Sequence, residues 1–258
     1  MRRIRITLAY DGTGYHGWQV QPNRPSIQGA VERVLGEIEG AAVKVIASGR
    51  TDAGVHALAQ VAAFDLHNPI PADNLRRAMN RLLPEAIRVS DVAEAAPDFH
   101  PRYHALAKTY EYRIWRTEVC IPFLRRYVHH HPYPLDLPRM IEAARLLEGQ
   151  HDFSAFAAAD DKDALGASKV RTIFASALTG HGEQLLYRVR GSGFLKHMVR
   201  NIVGTLLEVG KGNIDRDGLL RRLAPGYCGK AGPTAPANGL FLVSVEYPDE
   251  PTSTSASS

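Results

Sequence analysis

Val43-Lys44-Val45-Ile46-Ala47-Ser48-Gly49-Arg50-Thr51-Asp52-Ala53-Gly54-Val55-His56-Ala57-Leu58-Ala59 is the stretch around which the rest of the chain is read. Val43, Val45 and Ala47 alternate with Lys44, Ile46 and Ser48, the two-residue period of a strand. The pattern breaks at Gly49, and Gly54 follows within five positions. Glycine adopts backbone angles closed to other residues, so the pair permits a sharp, close-packed turn. Arg50, Thr51 and Asp52 lie between the two glycines. Such a turn can set a carboxylate and a guanidinium side by side at a strand end, and a nearby guanidinium keeps a carboxylate ionised. An ionised, positioned Asp is what nucleophilic or base chemistry at a sugar carbon requires. On turn chemistry alone, the same residues also read as a strand end in which Thr51 or Asp52 bonds its own backbone.

The bulk composition narrows the setting. A chain of 258 residues makes one large domain or two small ones, and 45% hydrophobic residues supply a core. Lys plus Arg outnumber Asp plus Glu by 31 to 27, a net charge of +4. That modest excess points towards a polyanion such as nucleic acid. Cys120 and Cys228 form neither a metal spacing nor a disulfide framework, which fits a reducing cytosol and predicts a cytoplasmic protein. Residues 1–7 run straight into a strand pattern with no signal-peptide core. No apolar run has the length to cross a bilayer, so no membrane is expected. The Pro/Ser/Thr-rich residues 249–258 are expected to be a disordered tail.

Before this stretch, Arg3 to Tyr10 alternates as a strand. Gly12, Gly14 and Gly17 then satisfy G-x-G-x-x-G, but a dinucleotide site needs a helix to open at once. Pro22 and Pro25 prevent it, so residues 10–19 read as an aromatic-anchored loop packed under the turn. Ser26 is an N-cap for a helix with a stripe of Ile27, Ala30, Val31, Val34, Leu35 and Ile38, ending at Gly40. Gln60 to Leu66 reads as a strand. The next helix, residues 72–83, points Leu75, Ala78, Met79 and Leu82 inward and shows Arg76, Arg77 and Arg81 outward, either as a solvated face or as a phosphate contact.

Residues 86–92 and 108–114 read as further strands. In the second, Tyr110, Tyr112 and Ile114 share one face, Glu111 and Arg113 the other; core packing accounts for the tyrosines by itself. His129-His130-His131 is not read as a metal site, because successive strand side chains point opposite ways and no Cys or carboxylate set accompanies them. Residues 140–147 form a short amphipathic helix, 157–167 a mobile loop. Ser168 to Ile173 opens a strand with Lys169 and Arg171 on one edge. Leu195, Met198, Val199, Ile202, Val203 and Leu206 make a buried helical stripe, with Arg200 off it in a position that alone reads as solvent-facing. A short helix (215–223) and a last strand ending at Tyr247 follow.

Ser48-Gly49-Arg50-Thr51-Asp52-Ala53-Gly54-Val55-His56-Ala57 resembles, almost letter for letter, the catalytic signature of the tRNA pseudouridine synthase A family. Tyr10-Asp11-Gly12-Thr13 with Gly17-Trp18-Gln19, the stretch from Gly191 to Arg200, and Ala235-Pro236-Ala237-Asn238-Gly239-Leu240 are similar to its other motifs in the right order. The resemblance runs from about Ile4 to Pro248. It implies an α+β fold: a mostly antiparallel central sheet from two similar halves with helices packed on one side. The halves are expected at residues 1–105 and 106–248. It further implies a homodimer that isomerises uridine to pseudouridine at positions 38, 39 and 40 of the tRNA anticodon stem-loop, with no cofactor and no metal.

By the same resemblance, Asp52 is the nucleophile or base and Arg200 its charge partner. Tyr110 stacks on the extruded uracil, and Arg50 takes the flipped base's place. Phe99, Arg102 and Tyr103 match an RNA-contacting segment, as do Lys169 and Arg171; Arg76 and Arg77 join them as candidate phosphate ligands. His197 stands where the family varies and is assigned no role. The chemistry agrees with the residues. A hydrolysing glycosidase needs two carboxylates; the signature offers one, which suits a rearrangement in which the released base is turned and rejoined. The target base must first leave its stack. Two other readings stay open on the sequence: a tRNA-binding protein without catalysis, and a nucleotide-dependent enzyme using Gly12 to Gly17.

Overall fold

The computed structural model describes residues 1–159 and 166–248. Its elements are β1 (Arg2–Tyr10), α1 (Ile27–Glu39), β2 (Ile46–Ala47), β3 (His56–Leu66), α2 (Ala72–Leu82), β4 (Ile87–Glu94), β5 (Ala107–Trp115), β6 (His129–His130), α3 (Leu137–Arg145), β7 (Gly149–Asp152), β8 (Val170–His181), β9 (Gln184–Gly191), α4 (Met198–Gly210), α5 (Arg216–Leu223) and β10 (Leu240–Glu246). All ten strands belong to one sheet in the order β4-β1-β3-β10-β5-β9-β8-β7, with β2 on β3 and β6 on β5. β3–β10 and β5–β6 pair in parallel; the other contacts are antiparallel. Strands up to β4 fill one side of the sheet and β5 onward the other. β10 is the seam, parallel to β3 and antiparallel to β5.

The sheet and helices follow from local pattern. In β1, Ile4, Ile6, Leu8 and Tyr10 are buried, while Arg3, Arg5, Thr7 and Ala9 on the opposite face are half-buried. The Ser26 hydroxyl accepts from the Gly29 amide, and α1 ends on Gly40 at φ 76°, a left-handed cap. Ile27, Val31, Val34 and Leu35 are the buried stripe of α1. Against β5, Tyr110, Tyr112 and Ile114 are all buried, as the alternation required.

Two local expectations need correction. Leu82 does not point inward: it is 43% exposed, and Leu83 takes its place at 5%. The helix stops at Leu82, and the extended backbone of Leu83 turns that side chain under instead. The strand expected from Val43 is confined to Ile46–Ala47. Val45 is buried, but its amide and carbonyl are taken by the side chains of Glu32 (3.0 Å) and Gln28 (3.1 Å) on α1, which replace a strand neighbour.

β6 places His129 and His131 on the same side of the strand, ring centroids 5.7 Å apart, with His130 bonding the Thr117 carbonyl at 2.8 Å. Nδ1 of His129 and Nε2 of His131 are buried with no hydrogen-bond partner among the described residues. Burial first, then the neighbouring His131, His130 and Lys211, push His129 down to about 4. Residues 160–165, inside the stretch expected to be mobile, and the expected tail from 249 lie outside the described residues. Among the described residues, no helix is long and apolar enough to cross a membrane.

Candidate active site

The turn from Ser48 to Val55 is fastened at almost every residue. The Ser48 amide bonds the Val61 carbonyl at 2.8 Å and its hydroxyl meets Oε1 of Gln60 at 2.7 Å. Gln60 is fully buried and also donates to the Gly49 carbonyl at 2.9 Å. Thr51 does not bond its own backbone. Its hydroxyl meets the phenol of Tyr10 at 2.8 Å, and its carbonyl accepts from the Trp18 amide at 3.0 Å. The Val55 amide closes onto the Asp52 carbonyl at 3.1 Å.

The glycine loop of residues 10–19 lies against this turn, as the sequence predicted. A Cβ on Gly12 would sit 2.1 Å from the Val55 carbonyl oxygen, so only glycine fits there. The Gly12 amide donates to Nδ1 of His56 at 3.1 Å, which leaves Nε2 to donate to the Arg126 carbonyl at 2.9 Å. No helix opens before Ile27, so the loop lacks the helix N-terminus that a dinucleotide site needs.

These restraints present Asp52 to α4. Oδ2 of Asp52 lies 3.1 Å from Nη1 of Arg200, whose Nε donates to the Ala235 carbonyl at 2.8 Å. Arg200 is thus half-buried and aimed at the turn. Nε2 of His197 lies 3.6 Å from the same Oδ2. His197 holds φ 61° at the start of α4, an uncommon backbone for a residue other than glycine. The sequence reading gave His197 no role, and a positive φ at a histidine leaves no mark in sequence. Oδ1 of Asp52 makes no hydrogen bond with the described residues.

Tyr110 is buried on β5, its ring edge-on to Phe194 with centroids 5.1 Å apart. Burial above all, then Tyr10 and the Asp52 carboxylate, push its phenol well above the usual tyrosine range, so the ring stays neutral. Arg50 projects from the turn; its side chain is exposed and pairs with no carboxylate among the described residues.

The candidate RNA contacts fall in two places. Arg102 and Arg171 face one another closely enough for Arg102 to lower Arg171, after burial. Tyr103 is 76% exposed on the same loop as Arg102, and Lys169 precedes β8 beside Arg171. Phe99 packs instead between His104 and Tyr247, at 5.9 and 5.2 Å. Arg76 and Arg77 sit on α2, which packs on the edge strand β4, away from β5, which carries Tyr110, and from the turn before β3 that carries Asp52. Arg76 approaches Asp73 at 3.6 Å. Behind the turn, a cleft of about 560 Å³ is lined by Thr13, Gly54, Arg125, Arg126, Ala237 and Asn238; Asp52 is not part of its wall.

The sheet is mostly antiparallel, and beside its central strands one carboxylate held by an arginine lies near a buried, neutral tyrosine. A family profile described as tRNA pseudouridine synthase matches residues 6–104 and again 143–248. The chain belongs to the tRNA pseudouridine synthase A family. A curated protein of that name from Solibacter usitatus is 63% identical over 248 residues, covering 96% of this chain and all of the relative. Others of the same name, from a Geobacillus species and from Myxococcus xanthus, are each 45% identical; the matches cover 95% and 97% of this chain and 98% and 94% of theirs.

Proposed function

We propose that the chain isomerises uridine to pseudouridine in the anticodon stem-loop of tRNA, at positions 38, 39 and 40, with Asp52 acting on the ribose and no cofactor. One observation carries the reading: Asp52 offers a single carboxylate whose Oδ2 is held by Arg200 at 3.1 Å, leaving Oδ1 for the sugar. The N1–C1′ glycosidic bond breaks, the uracil turns, and C5 joins C1′ of the ribose; C5 then loses its proton and N1 gains one, so that the product is an isomer of the substrate. The freed base is kept from escaping by the Tyr110 ring and Phe194, which is edge-on to it. Arg50, exposed at the tip of the turn, fills the stack that the extruded nucleotide vacates. Arg102, Arg171, Lys169 and Tyr103 track the RNA near the site, with Arg76 and Arg77 as a remoter contact and Phe99 bracing their loop.

The halves 1–105 and 106–248 act as two units joined at β10. The working form is a cytoplasmic homodimer; exposed Val119, Ile121 and Phe123 support it by offering apolar surface to a second copy. Incubation with an unmodified tRNA transcript, followed by site-mapping of pseudouridine, tests the reading. Product at 38–40 with the wild-type chain and none with Asp52→Asn is expected. A wild-type chain that binds tRNA and yields no pseudouridine makes it a binding protein instead.

A further inference from the structure

Lys108 is a part-buried cation that the isomerisation chemistry leaves unused. It is the second residue of β5, two before Tyr110, and shares its face by strand alternation. Nζ donates to the Ser48 carbonyl at 2.6 Å, at the point where the catalytic turn begins. Gly49 is what admits it: a Cβ there would stand 3.1 Å from Nζ. Across the sheet Lys108 is paired with Gly191, which adds no side chain and lies under Phe194, the residue edge-on to Tyr110. Lys108 therefore sits between the start of the turn that carries Asp52 and the strand that carries Tyr110.

Its electrostatic setting is unbalanced. Among the described residues, no carboxylate pairs with Lys108. Burial and then Arg102 push its ammonium down to about 8. Arg102 in turn acts on Arg171. Arg102 thus lies within electrostatic reach of both Lys108 and Arg171, and Gly191, the partner of Lys108, pairs on its other side with Ile173, two residues beyond Arg171. A charge withdrawn from water without a counter-charge is costly. An anion brought by the ligand would supply what the protein lacks.

We infer that Lys108, with Arg102 and Arg171, forms a phosphodiester-binding site beside the Ser48–Val55 turn and holds the RNA backbone next to the extruded nucleoside. The inference rests on the proposed RNA reading and deepens it. Lys108 gives the phosphate its two remaining N–H donors while the third stays on the Ser48 carbonyl, so gripping the backbone and shaping the turn become one act.

The test is binding of an anticodon stem-loop RNA as a function of salt, on the Asp52→Asn background so that no turnover occurs. Lys108→Met is expected to weaken binding about tenfold and to reduce the slope of log K against log salt by about 0.7–0.9, one phosphate contact. Weaker binding with an unchanged slope would make Lys108 only an anchor for the turn and overturn the site. Lys108→Arg, which keeps the charge, covers the case in which the Met variant fails to fold. With Lys108, affinity is expected to fall as pH rises from about 7.5 to about 9.5, because the ammonium is lost; in the Lys108→Arg variant the profile flattens. The charged neighbours Arg102 and Arg171 are guanidinium groups that do not titrate there. Identical profiles overturn the proposal. Pseudouridine formation by the wild-type chain tests the parent reading separately, so failure of one is distinguishable from failure of the other.

Discussion

Arg200 holds the carboxylate of Asp52 across 148 residues of sequence, with Nη1 3.1 Å from Oδ2, while Nε of the same guanidinium binds the Ala235 carbonyl at 2.8 Å. Two edges of one planar group thus tie the catalytic turn to α4 and to the segment leading into β10. A lysine has a single point of charge and cannot serve both. Arg200→Lys is expected to lower kcat about 100-fold, the scale of a misplacement of about an ångström. KM for tRNA should stay within several-fold and the circular dichroism spectrum should be unchanged. Unaltered kcat would remove Arg200 from the mechanism.

Asp52→Asn keeps the shape of the side chain and loses its charge. Pseudouridine formation should drop by more than about a thousandfold, as expected when the reacting member of a unit is removed. Affinity for tRNA should remain within several-fold in a filter-binding assay. Normal turnover by this variant would contradict the assignment.

Gly204 on α4 lies against the backbone of Pro233: a Cβ there would meet the Pro233 carbonyl oxygen at 1.7 Å. Neither side can yield without moving Arg200 or Ala235. Gly204→Ala is expected to cost about 3 kcal/mol of stability, a fall in Tm of roughly 6–12 °C, together with a loss of kcat. A melting curve that overlays the wild type would show that the helix has room to shift.

Tyr110→Ala removes the ring proposed to stack on the base. An anticodon stem-loop with its target uridine unpaired should bind more weakly by about 1–3 kcal/mol, the value of one base stacked on an aromatic side chain. Equal affinity of the two proteins for that RNA would dismiss the stacking role.

Acid should unfold the protein through β6. His129 sits at about 4 in the fold against 6.5 in an open chain, so the unfolded state takes up its proton first. The contribution of this group is therefore complete above 6.5 and is lost as pH falls from 6.5 to about 4. Tm should decline over that window, and His129→Leu should decline less. Parallel declines would place the acid sensitivity elsewhere.

Much of this was legible from residue order. Ser26 and Gly40 bracket α1 through capping chemistry that leaves a direct trace in sequence, and Tyr110, Tyr112 and Ile114 share a face because strand side chains alternate. The partnership of Asp52 with Arg200 came from resemblance; helical position alone turned the arginine outward. What escaped depends on tertiary contact. Val45 reads as strand, yet side chains from α1 satisfy its backbone. His197 carries a left-handed backbone that no glycine announces, and Lys108 drew no notice because a lone lysine in a strand looks like surface.

The seam has a consequence for how the protein is made. The central strand, residues 240–246, is inserted between two neighbours that were synthesised long before it. A ribosome must have polymerised about 240 residues before the sheet can be zipped shut. A chain stalled before Ala235 also lacks the carbonyl that steadies Arg200, so it would present Asp52 and the proposed RNA-contacting Arg102 without the assembled site.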